Sequence, residues 1–174
     1  MPTFSRIVTA TSLIALTLAG ACDTADYVTY RVASASSVQD ANCYPDGVPD
    51  SIRDDSSSLR AASSLNVFEG PEDERFLEFA DVALAGSVVD GVYSFSGETV
   101  DVEYPTPELK TKQTATHDLS FTEDGKYITG TYTLTTTTTC TGPTDQCDLI
   151  VQPTCTTTTE FTGSRVETEL THEL

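Results

Sequence analysis

Ala115–Leu134 reads ATHDLSFTEDGKYITGTYTL, and where it bends decides the fold. Asp124-Gly125 sits between alternating residues, the strongest short-range signal for a β-hairpin. A type I′ turn on that pair sets Glu123 opposite Lys126 and Phe121 opposite Ile128. Further out it sets Leu119 opposite Gly130, His117 opposite Tyr132 and Ala115 opposite Leu134. Side chains alternate along a strand, so these residues share one face. The reverse face carries Thr116, Asp118, Ser120, Thr122, Thr129, Thr131 and Thr133. One surface is apolar and the other is rich in hydroxyls.

Threonines continue from Thr135 to Thr139 and return from Thr156 to Thr159. Threonine is β-branched and suits a pleated strand. These runs lack the interspersed proline of an O-glycosylated stalk and read as solvated strand surface. With Cys140 opposite Cys155, Leu134 falls opposite Phe161, and the apolar stripe crosses three strands. Thr136, Thr138, Thr157 and Thr159 then face inward near the loop end.

A second hairpin is centred on Asp90-Gly91, pairing Val89 with Val92 and Val88 with Tyr93. Phe95 joins Val82, Leu84, Val88 and Tyr93 on one face. Val100, Val102 and Tyr104 fall out of phase with them. A bulge at Gly97 brings them inward, and a bulge at Gly163 does the same for Val166. Upstream, Gly70-Pro71 followed by acids reads as a loop or helix start. About six strands, tight turns and little helix predict an all-β antiparallel meander. Closing it into a small barrel or half-barrel covers the apolar face and removes the edges. The architecture resembles a lipocalin, but the Gly-x-Trp signature is missing, because the chain has no tryptophan.

The chain has 174 residues and a net charge of −18, which argues against nucleic acid as a partner, since phosphate binding needs clustered bases. Residues 1–21 combine Arg6 with a short apolar core, too short to span a bilayer comfortably. The core ends in Leu18-Ala19-Gly20-Ala21-Cys22, which resembles the lipobox of bacterial lipoproteins. The bulky residue usual three places before the cysteine stands one place further out, at Leu18. The resemblance implies that Cys22 is acylated and becomes the mature N-terminus, anchoring the protein to a membrane of the bacterial cell envelope. The folded domain would then lie in the periplasm or on the cell surface. The alternative is a secretory signal cut near Ala21. Residues 22–64 read as tether and acidic loop, with a short strand at 27–32, and residues 65–174 as the β domain.

Of five cysteines, removing Cys22 leaves Cys43, Cys140, Cys147 and Cys155. An even number in an exported chain implies two disulfides. The hairpin register favours Cys140 with Cys155 and Cys43 with Cys147. The rival pairs Cys140 with Cys147 and Cys43 with Cys155.

Asn42, Asp46 and Asp50 surround Pro45-Asp46-Gly47 in a pattern that resembles one unit of a thrombospondin type 3 calcium repeat. Tyr44 and Arg53 occupy positions acidic in that repeat. Calcium is the one cofactor the sequence raises, against a plain acidic turn. No nucleophile elbow, phosphate loop, dinucleotide fingerprint or zinc-protease motif occurs, which argues against an enzyme. His117 is expected on the apolar face, bonded to Tyr132 or acting as a polar contact in a pocket. That pocket would hold a small apolar molecule or lipid, lined by Leu119, Phe121, Ile128, Tyr132, Leu134 and Phe161. The same residues also make an ordinary core. The alternatives are a protein-interaction module using the 140–155 loop and calcium-dependent adhesion.

Overall fold

The computed structural model describes residues 27–40, 43, 59, 62–71, 74–148 and 154–166. The leader, Cys22, the Asn42, Asp46 and Asp50 loop and the tail beyond Val166 lie outside these described residues. The strands are β1 (Tyr27–Ser34), β2 (Val38–Gln39), β3 (Ser64–Glu69), β4 (Arg75–Phe79) and β5 (Val82–Val89). They continue with β6 (Val92–Thr106), β7 (Leu109–Asp124), β8 (Tyr127–Thr141) and β9 (Cys155–Arg165). A short helix, α1 (Thr144–Cys147), lies between β8 and β9.

Neighbouring strands pair antiparallel in the order β1-β3-β4-β5-β6-β7-β8-β9-β2, and β1 also pairs with β9. The result is a closed eight-strand barrel with one extra strand. β1 makes the closure. Its first half runs against β3, from Tyr27 opposite Phe68 to Arg31 opposite Ser64. Its second half runs against β9, from Tyr30 opposite Arg165 to Ser34 opposite Phe161. After a break, β2 rejoins β9 at Thr158 and Thr157. The short strand expected at 27–32 is present as β1, but it is a barrel wall rather than part of a tether. Tyr30 and Val32 alternate inward with exposed Arg31 and Ala33, as a half-buried strand requires.

The central hairpin bends one residue later than the sequence suggests. Asp124 pairs with Tyr127, so Gly125 and Lys126 form the turn. Gly125 has φ 62°, and Lys126 is not among the residues with positive φ. A II′ turn wants glycine at its first central position, which is where Gly125 falls. The register moves by two: Phe121 faces Gly130, Leu119 faces Tyr132, and His117 faces Leu134. A shift of two leaves every side chain on its expected face. The β8–β9 register moves by four, to Leu134 opposite Thr157 and Thr136 opposite Cys155, and again keeps the faces. It takes Cys155 away from Cys140. The disulfides are Cys43–Cys155 and Cys140–Cys147, the rival pairing.

The Asp90-Gly91 hairpin is as expected: both residues have positive φ, and Val89 pairs with Val92. Gly97 carries no bulge, since β6 stays in register with β7 from Val92 to Glu103. Val100, Val102 and Tyr104 consequently point outward and are exposed. Gly163 also stays in register, opposite Ile128, and Val166 is exposed. Gly70-Pro71 opens a loop between β3 and β4, where Glu69 meets Arg75 in an ion pair of 3.1 Å.

The interior is filled by inward residues of all eight walls, with Leu59 inserted from the segment before β3. Phe121 is its centre. Its ring stacks on Tyr93 at 4.6 Å and on Phe95 at 6.1 Å. The edges of Tyr30 and Phe161 approach it at 5.6 Å and 6.5 Å. Offset and edge-on contacts of this kind add to the burial of large apolar rings.

Candidate functional site

Among its described residues the barrel carries a buried histidine, a carboxylate at one mouth and a mostly apolar hollow on the outer wall. His117 is buried at 3% exposure. The hydroxyl of Tyr132 lies 2.8 Å from its Nδ1, and that of Thr99 lies 3.0 Å from its Nε2. Tyr132 is diagonal to the histidine rather than opposite, yet its hydroxyl still reaches. A hydroxyl can donate or accept, so either tautomer of the neutral ring has both nitrogens satisfied. Burial lowers its pKa from the ordinary histidine value, with the Asp118 carboxylate pulling weakly the other way. The ring is thus held neutral among core residues.

At one mouth, Glu123 accepts a hydrogen bond from the hydroxyl of Tyr93, at 3.4 Å, and its carboxylate lies near Tyr30. Burial, then the Glu123 carboxylate, push both phenols upward. The sequence did not mark this cluster, because the short strand at 27–32 that holds Tyr30 had no register relating it to Glu123.

The residues expected to line a pocket do converge. Leu119, Phe121, Ile128, Tyr132 and Phe161 are between 0% and 2% exposed, and Leu134 packs against them partly buried. They touch one another and occupy the interior. The hollow lies behind them. It has a volume of about 630 Å³ and is lined by outward residues of β6, β7, β8, β9 and β1, together with the core residues Phe121 and Phe161, which reach it beside Gly130. One row across the five strands is Val92, Thr122, Thr129, Thr162 and Ala33. The next row holds Ser120, Thr131 and Glu160. The floor is strand backbone at Gly130. A Cβ on Gly130 would lie 2.6 Å from both Phe121 Cβ and Phe161 Cζ. With no side chain there, Phe121, Phe161 and the Ser120 carbonyl pack directly against the β8 backbone.

The hollow continues into a wider hydroxyl surface. Every outward residue of β8 from Thr129 to Thr141 is a threonine. Among the described residues the lining carries hydroxyls, methyl groups, the rings of Phe121 and Phe161 and the single carboxylate of Glu160, with no base. Such a surface can donate and accept hydrogen bonds and accommodates neutral or cationic groups. It repels anions.

The disulfide loop stands apart. Beyond Thr136, β8 has left β9 and runs only against β7, while β6 has left β5 after Ser96. A three-stranded ribbon therefore projects from the barrel. At its end Cys140–Cys147 pins α1, and Gly142 packs on Leu109, which is buried outside the main core. Cys43–Cys155 sits at the ribbon's base. Among the described residues no cluster of three metal-ligating side chains occurs. No known protein family, curated protein or solved structure matches the chain.

Proposed function

We propose that this protein is a non-enzymatic binding protein of the bacterial cell envelope, anchored through lipid on Cys22, whose barrel is a solid support. Recognition takes place on the outer wall and the projecting ribbon. One observation carries this reading: the inward aromatic residues fill the barrel, while the ligand-sized hollow opens on its outside. Its volume falls within the usual range for binding sites. The partner is a protein or another extended, uncharged or basic chain, because the hollow crosses five strands and Glu160 is the only charge among its described lining residues. The lipobox-like run before Cys22 supports the anchor. The two disulfides accord with an oxidising compartment.

Two measurements test this. Native mass spectrometry of protein taken from its own membrane should show acyl mass on Cys22 and no further lipid held inside. Cys22→Ala should release the protein into the soluble fraction. A fluorescent fatty acid should find no saturable, stoichiometric site. Stoichiometric lipid in the interior would sink the outer-wall reading. An unmodified N-terminus would sink the anchor.

A further inference from the structure

Strand β6 continues after its neighbour has left. β5 pairs with Val92 to Ser96 only, whereas β6 follows β7 to Thr106. The two-residue turn at Asp90-Gly91 makes Val89 and Val92 a hydrogen-bonded pair, so even-numbered residues of β6 aim N–H and C=O at β5. Past Ser96 the same parity aims the backbone of Glu98, Val100 and Val102 away from β7. No described strand meets it there, and residues 98–106 are exposed on both faces.

The edge is two-sided in chemistry. Val100, Val102 and Tyr104 stand outward, at 53%, 40% and 65% exposure. Asp101 and Glu103 stand on the other side, opposite Gln113 and Thr111, and no described cation touches them. Unpaired edges are templates for another strand.

We propose that this edge accepts an extended segment of another protein in which basic residues alternate with apolar ones. Its bases meet Asp101 and Glu103, and its apolar residues cover Val100, Val102 and Tyr104. Charge selects this occupant over a second copy of the chain. Self-pairing centred on Val102 would set Asp101 opposite Glu103 twice, between chains of net charge −18. The inference rests on the outer-surface reading above, but the edge lies about 30 Å along β6 from the hollow.

The test uses the full chain and a fluorescent octapeptide of alternating lysine and valine, followed by anisotropy at about 150 mM salt. Saturable binding is expected. Val102→Pro removes an N–H from the free edge and spares the β6–β7 bonds, which use odd-numbered residues. It should weaken binding by about tenfold or more. A peptide N-methylated at alternate residues should lose the same factor with the protein untouched, which covers the case of a poorly folded variant. Asp101→Lys with Glu103→Lys should transfer preference to a glutamate-valine octapeptide. Thr129→Arg in the hollow should change nothing here, so the edge and the hollow fail separately. The proposal is overturned if binding never saturates, or if the N-methylated peptide binds as well as its parent. It is equally overturned if the chain alone forms a dimer that Val102→Pro dissolves.

Discussion

Gly130→Ala probes whether the barrel is solid. The added methyl would lie 2.3 Å from the Ser120 carbonyl oxygen and 2.6 Å from both Phe121 Cβ and Phe161 Cζ. Relief requires movements of about 1 Å, in a packed interior where such gaps and clashes are felt steeply. Phe161 can tilt, but the Ser120 carbonyl belongs to β7 and moves only with its strand. Overpacking typically costs about 1–3 kcal/mol, and a backbone obstacle puts this site near about 3 kcal/mol. For a domain of this size that is a fall in Tm of about 6–12 °C. Urea unfolding with disulfides intact, read by tyrosine fluorescence, measures the free-energy change, and calorimetry measures the midpoint. Adding Phe161→Leu should recover part of the loss and leave the carbonyl clash. Thr131→Ala, one residue on and facing outward, should stay within about 0.5 kcal/mol of wild type. If Gly130→Ala were equally mild, the interior would hold room for a methyl group, and the argument for recognition outside the barrel would fail.

Acid should destabilise the fold through His117. Its native pKa is lowered, so the unfolded chain takes up the proton first, and the neutral ring's contribution is full above about pH 6.5 and lost as pH falls below it. His117→Gln should flatten that part of the Tm-against-pH curve relative to wild type, and parallel curves would refute the assignment. Ala80 holds φ 48° in the β4–β5 turn, a region costly for a residue with a Cβ. Ala80→Gly should therefore raise stability by about 0.5–1 kcal/mol in chemical denaturation, despite the freedom it gives the unfolded chain. The two disulfides should differ in worth. Cys43–Cys155 spans 112 residues and Cys140–Cys147 spans 7. Loop-closure entropy gives about 4–5 kcal/mol for the first and about 2 kcal/mol for the second, measured by paired Cys→Ser variants.

Strand faces were legible in the sequence and registers were not, for one reason. Alternation fixes a residue's side but is unchanged by any even slip. Phe121, Ile128, Tyr132 and Phe161 all point inward as expected, although neither the β7–β8 nor the β8–β9 pairing is the expected one. The cysteine pairing depended on register and moved with it. Turn chemistry was readable at Asp90-Gly91, where both residues suit positive φ. It was hidden at Ala80-Asp81, where alanine gives no such signal. β1 was legible as a short strand at 27–32, but its role in closing the barrel was not, because alternation names no partner strand. Val100, Val102 and Tyr104 were expected inside because apolar residues seek burial, and the structure leaves them on an open edge. The outer hollow had no signature: threonines beside a cavity look like any solvated threonines.

The wall that seals the barrel joins strands far apart in sequence, β1 and β9. Synthesis delivers Tyr30 first and its partner Arg165 last. Until then the intervening strands form an incomplete sheet with two open sides, rich in β-branched residues. Pairings so distant in sequence are slow to form, and partly assembled sheets are prone to join one another. Closure of the barrel therefore waits until β9 has been made, and any helper that shields the open sheet must act before that strand arrives.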